Sequence, residues 1–261
     1  MKNRKWIWLL AAVTILVLVG CARKEEETTT GSGKQSLPAP LPTPIDPSTV
    51  GEVTGKISFD GAKPQPQRIV MEQDPACEQK HRGHVFAEDG LVNDHGALPN
   101  VFVYVKAGAE KYIFTPPATP AVLDQDGCMY KPHVLGLMAG QTLRIVSSDD
   151  TTHNIHPMPL NNREWNMSQT PGAAPLEQKF AHPEIMIPIK CNQHPWMHAW
   201  IGVTSNPFFA VSGSDGTFTL QGLPPGNYTI EAWTSTFGTQ VEKVVLGAKE
   251  TKTIDFKFKA T

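Results

Sequence analysis

The sequence predicts an all-β protein, an antiparallel β-sandwich, on three observations. Helical periodicity is scarce from residue 51 onward. Short β-prone runs, among them NVFVYVKAG, HVLGLMAGQTLRIVSSDD, EIMIPIKC and KVVLGAKETKTIDFKFK, are separated by Gly, Pro and Asp, the spacing of a sandwich. Val101, Val103 and Val105 recur at every second position with Phe102 and Tyr104 between them, and Thr253 to Phe258 alternates polar with apolar, the period of a strand. Pro99-Asn100 supplies the turn that opens the Val101 strand.

The N-terminus reads differently. Lys2, Arg4 and Lys5 precede an apolar run from Trp6 to Val19 that stops at Gly20-Cys21, which describes an export signal over residues 1–20. The run falls short of the roughly 20 apolar residues of a membrane-spanning helix; a retained anchor helix is the alternative. Leu18-Val19-Gly20-Cys21 also resembles the bacterial lipobox. That resemblance implies lipidation of Cys21, an extracytoplasmic, periplasm-facing chain tethered to a membrane, and, with Ala22 rather than Asp next, the outer membrane. Residues 21–50 hold charged Arg23 to Glu27, a Thr run, Gly-Ser-Gly and LPAPLPTPIDP, a stiff, core-less spacer. About 210 residues remain, enough for one large β domain or two small ones. The formal net charge is −2, and removing residues 1–20 takes away bases and no acid. No basic face for nucleic acid is expected.

The tail DGTFTLQGLPPGNYTIEAW, residues 215–233, carries Gly222, Pro225, Gly226 and Tyr228 in a Gly-x-x-Pro-Gly-x-Tyr turn. It resembles the carboxypeptidase regulatory-like, or transthyretin-like, module. Such a module opens with a strand like GEVTGKISFDGAKP, residues 51–64. The resemblance implies one packing unit without chemistry, built from residues 51–91 and 212–261 and interrupted by a segment over 92–211.

That segment carries the chemistry. Cys191, His194 and Met197 follow a Cys-x-x-His-x-x-Met order, so one loop can present three ligands. A fourth, His153, lies past the apolar run Leu143–Ser148, and Asn154 beside it is placed to tie the two ligand-bearing loops together. Two imidazoles, a thiolate and a weak axial thioether make an electron-transfer copper site. Residues 147–158 and 190–200 resemble the ligand regions of cupredoxins, with an amicyanin-like loop, and the whole body resembles plastocyanin-like or methylamine-utilisation-type bacterial lipoproteins. The resemblance implies a Greek-key sandwich holding one type 1 copper ion on His153, Cys191, His194 and Met197. His156 and His198 are alternative axial donors, or lie at the rim.

Of the four cysteines, Cys77, Cys128 and Cys191 remain once Cys21 is lipidated, and in an oxidising compartment two of them pair. DPACEQKH and DQDGCMYKPH place Cys77 and Cys128 in loops, the more natural pair, with Cys191 bridged to either as the alternative. A bridge closing about fifty residues stabilises by on the order of 4 kcal/mol in the loop-entropy model. The competing arrangement is a second metal site built from Cys77, His81, Cys128 and His133. His84, His95 and His182 are expected in solvent, Trp196 and Trp200 packed on the ligand loop, and residues 157–180 as a docking excursion or a lid.

The resulting expectation is a one-electron carrier working with cytochromes or dehydrogenases. A copper-binding or delivery lipoprotein without redox turnover is the alternative, and a vestigial ligand set on a structural sandwich the third. Four filled ligand positions leave none for substrate, and the His-x-His pairs of a trinuclear oxidase cluster are missing from the sequence; no enzymatic activity is expected.

Overall fold

The computed structural model describes residues 43–260; the export signal, Cys21 and the spacer up to residue 42 lie outside the described residues. Residues 43–50, expected in the spacer, join the body instead. Thr43 N–H donates to Ile113 O, and Ile45 packs on a core. Strands supply the regular structure, with one short helix, Pro75–Gln79, among the described residues.

Two sheets enclose a first core. In one, Gly51–Asp60 pairs antiparallel with Thr217–Leu223 and parallel with Thr251–Thr253 and Phe256–Lys259. The other runs in the order Phe209–Val211, Phe102–Ala107, Gly226–Thr234, Gly238–Leu246. Phe256 and Phe258 are buried and Lys257 and Lys259 exposed, as their alternation demands. Tyr228 turns its hydroxyl onto Pro224 O at 2.6 Å, closing the Pro-Pro-Gly turn.

A second pair of sheets encloses the core that matters for the chemistry. One has the order Met167–Gln169, His153–Pro157, Glu184–Lys190, His198–Thr204, Val134–Met138; the other has Leu176–Gln178, Leu143–Ser147, Ala121–Gln125, Tyr130–Lys131. Leu137, Ile145, Ile155 and Ile201 are fully buried between them. The pairing is mixed rather than purely antiparallel: Val134–Met138 lies parallel to His198–Thr204, and Ala121–Gln125 parallel to Leu143–Ser147. Both pairs are joined by the long crossovers that parallel pairing requires. Residues 157–180 contribute two short strands to the body. Met167–Gln169 and Leu176–Gln178 are edge strands, one in each of these sheets.

The sheet pairings do not follow the expected boundaries at 92 and 211. Phe102–Ala107 and Phe209–Val211 fall inside that range, yet Phe102–Ala107 pairs with Gly226–Thr234 on one side and with Phe209–Val211 on the other. The alternation along Val101–Val105 explains why. Val101, Val103 and Val105 enter the first core, while Phe102 and Tyr104 join a separate layer with Val134 and Met186 from the second pair of sheets. The strand is buried on both faces because it serves two apolar layers.

Two glycines make that layer close. A Cβ at Gly136 would lie 2.4 Å from the Phe209 ring, and one at Gly202 would lie 2.5 Å from the Phe102 ring. Gly202→Ala is expected to destabilise the protein by about 1–3 kcal/mol through overpacking, read by urea unfolding. Unchanged stability would show that the Phe102 ring yields freely.

Candidate metal centre

His153 opens the strand His153–Pro157, and Cys191 follows the end of Glu184–Lys190. These strands are neighbours, with Lys190 opposite His156. The loop after Cys191 is tied on itself: Met197 N–H donates to His194 O at 2.9 Å and Cys191 N–H donates to Met197 O at 3.0 Å. Asn154 bridges the two ligand segments as its position suggested. Its Oδ1 accepts from Asn192 N–H at 2.7 Å and from the Cys191 thiol at 3.4 Å.

The donor atoms converge. His153 Nδ1 lies 2.9 Å from His194 Nδ1, and Cys191 Sγ lies 3.7 Å from His194 Nδ1. The three residues offer ligand atoms all within 4.8 Å of one another, and all three are buried. Met197 is fully buried in the same apolar cluster as Cys191. Both histidines have their far nitrogen committed. His153 Nε2–H donates to Asp149 Oδ2 at 2.9 Å, and His194 Nε2–H donates to Asp74 Oδ2 at 2.9 Å.

That commitment is the test of fit. With each Nε2 carrying a hydrogen, the two Nδ1 atoms face each other at 2.9 Å, a contact that a shared proton satisfies in the empty pocket and that a bound cation would satisfy in its place. The donor atoms lie close enough together that His153, Cys191 and His194 would hold one ion between them. Carboxylates behind metal-bound imidazoles fix tautomer and ring orientation, and here both rings have one. The donor set fits a soft or borderline metal such as copper.

The local charges agree. Burial raises the Cys191 thiol, but hydrogen bonds from His153 and from the backbone of Asn154, His194 and Gln193 outweigh it and bring the thiol down to about 6. Burial alone would lower His153; Asp149 and Cys191 reverse that and raise it to about 9. Asp149 is brought down to about 2 against its burial by His153 and the N–H groups of Cys128 and Gly127. The pocket is arranged for negative charge around a cation.

Other residues fall elsewhere. His156 is not an axial donor. Its Nε2 meets Glu164 Oε1 at 2.6 Å and its Nδ1 lies 3.3 Å from Asn192 Oδ1, because it points to the opposite side of the strand from the buried His153 position. His198 is turned away as well, toward Asp89. Cys77 and Cys128 form a disulfide, so the alternative site on Cys77, His81, Cys128 and His133 does not assemble. His81 is spent on Gly127 O at 2.7 Å. His84, His95 and His182 are exposed. Trp196 donates to Cys128 O at 3.1 Å and its ring lies 5.2 Å from that of His194.

The segment around residues 68–89, grouped with the module on sequence, belongs to this site. Asp74 caps the helix Pro75–Gln79 with Oδ1, accepting from Ala76 and Cys77, and holds His194 with Oδ2. Cys77 Sγ, in the disulfide, lies 3.7 Å from His194 Nε2. Sequence reasoning missed Asp74 and Asp149 as supports. Asp149 stands four residues before His153 and was open to detection; Asp74, 120 positions from its histidine, was not.

Residues 199–259 match the model of the carboxypeptidase regulatory-like domain, the stretch that holds the Tyr228 turn and the strands around it. No curated protein matches the chain. Among solved structures, part of it is similar to a copper-containing nitrite reductase from Thermus scotoductus SA-01, at 18% identity and a TM-score of 0.31 over 35% of this chain and 26% of that one. A purple cupredoxin from Nitrosopumilus maritimus is similar at 22% identity and a TM-score of 0.28, over 32% and 99% of the two chains. An oxidized amicyanin variant follows at 15% identity and a TM-score of 0.29, over 39% and 98%.

Two outcomes follow from the supports. Asp149→Asn is expected to weaken copper binding about 10–100-fold by freeing His153, measured by competition with a chelator of known affinity. Cys77→Ser opens a loop spanning 51 residues and is expected to lower stability by about 4 kcal/mol in urea unfolding. Equal stability with and without the bridge would contradict that ledger.

Proposed function

We propose that the chain is a membrane-tethered, extracytoplasmic type 1 copper protein that carries single electrons between redox partners such as cytochromes or dehydrogenases. The observation that carries this reading is the buried convergence of His153 Nδ1, His194 Nδ1 and Cys191 Sγ, with a carboxylate behind each imidazole. Copper bound there would supply a one-electron couple between Cu(II) and Cu(I).

The chain's own residues do the rest. Cys191 is held ready to ligate as thiolate by the amides around it and by its histidine neighbour. Asp149 and Asp74 keep both rings in the tautomer that offers Nδ1, so little must move when a charge in the pocket changes. Met197, fully buried at the end of the tied loop, would be the fourth donor, a thioether. Leu123, Ile155, Phe180 and Ile189 line the core beneath and exclude water, which tunes a copper potential. Tethering by lipid on Cys21, behind the spacer, is part of the proposal and keeps the carrier beside membrane partners.

The test is the absorption and EPR spectrum of the purified full-length chain with one equivalent of copper. An intense thiolate-to-copper band in the visible and a reversible potential are expected. Cys191→Ser should abolish the band, whereas Cys77→Ser should keep it. Binding of Cu(I) with no band and no reversible couple would favour the delivery role. Colour that survives Cys191→Ser would overturn the ligand assignment.

A further inference from the structure

Outside the centre, three donors from three distant segments meet a second time. Asp89, His133 and His198 offer ligand atoms within 4.8 Å of one another. We propose that these residues form a second metal site, for a divalent cation of the zinc class. The inference stands on its own observations and does not need the copper reading.

His198 Nδ1–H donates to Trp196 O at 3.0 Å, which aims Nε2 at Asp89 Oδ2 in close contact, a position where either a proton or a cation stands between the two atoms. A carbonyl behind an imidazole is the outer support of metal-bound histidines. His133 Nε2 approaches the other carboxylate oxygen at 3.3 Å, its ring edge-on to His198 with centroids 5.3 Å apart. The carboxylate has a support of its own, since Trp200 Nε1–H donates to Asp89 Oδ1 at 3.2 Å.

Burial is graded in a way that suits a site open to exchange. The His133 side chain is 3% exposed, against 25% for Asp89 and 35% for His198. Two imidazoles and a carboxylate, without sulfur, suit Zn²⁺ or a neighbour such as Co²⁺ and not Cu(I). A proton shared between His198 and Asp89 satisfies the same lone pairs, so the cation must displace it, and a titration reads that competition directly.

Co²⁺ serves as the probe, added to the chelator-stripped full-length chain, with Zn²⁺ as competitor. Two equivalents are expected. One gives a thiolate-to-cobalt charge-transfer band from Cys191; the other gives only weak visible d–d bands. Asp89→Asn and His198→Gln should each leave the thiolate band and weaken the second equivalent by at least about 100-fold, the upper end of what loss of an outer support costs. His198→Gln guards against a folding defect, because that side chain is partly exposed, and near-UV circular dichroism checks both variants. Saturation at one thiolate-ligated equivalent in the unaltered chain would overturn the proposal, and so would a second equivalent of unchanged strength in both variants. Loss of the thiolate band alone, with a second equivalent that Asp89→Asn removes, would support this site while counting against the copper centre.

Discussion

Two imidazole nitrogens held 2.9 Å apart, each with its opposite nitrogen already given to a carboxylate, set the terms for the rest of the molecule. Such a pair repels unless a positive charge stands between, and neither ring can escape by flipping without abandoning its carboxylate. Asp149 cannot withdraw, because it also receives the amides of Gly127 and Cys128. Asp74 is equally fixed by its place at the start of a helix. The sheets, the tied loop and the disulfide all serve to keep these four groups where they are.

Support for the centre comes from outside its own sandwich. The disulfide draws the segment around Cys77 onto the loop that holds Cys128, and Asp74 then reaches His194 from above. From the other direction, Phe102, Tyr104 and Phe209 press against the sheet containing His198–Thr204. Gly136 and Gly202 remove the side chains that would hold the layers apart. Close packing of this kind is hardly compressible, so it holds positions and passes on any strain.

How much of this was legible depends on sequence distance. The order Cys191, His194, Met197 is local, and a ligand loop shows in the letters. His153 was recoverable because it lies just past the run Leu143–Ser148 and forms a His-Asn pair with Asn154, and the disulfide because turn residues surround both thiols, although Cys77 falls in the short helix. The all-β class was evident from the alternation of residues such as Phe256 to Lys259. What escaped were pairings made only by the fold. Asp89 meets His198 across 109 positions and Asp74 meets His194 across 120, with no periodicity to announce either. Parallel pairing was hidden too, since a strand's letters do not record its neighbour's direction. Val101 to Val105 misled in a subtler way: the alternation was real, but it divided two apolar layers rather than core from water.

The Phe102–Ala107 strand has a consequence for how the molecule can be taken apart. The stretch recognised as a regulatory-like domain starts at residue 199, yet two of the strands completing its sheets, Gly51–Asp60 and Phe102–Ala107, come from much earlier in the chain. Excised alone, residues 199–259 would leave Gly226–Thr234 with an open hydrogen-bonding edge and Thr217–Leu223 without its neighbour. The recognisable piece is therefore no autonomous building block. Evolutionary shuffling or laboratory truncation of this architecture has to move the interrupted halves together, with the intervening segment carried between them.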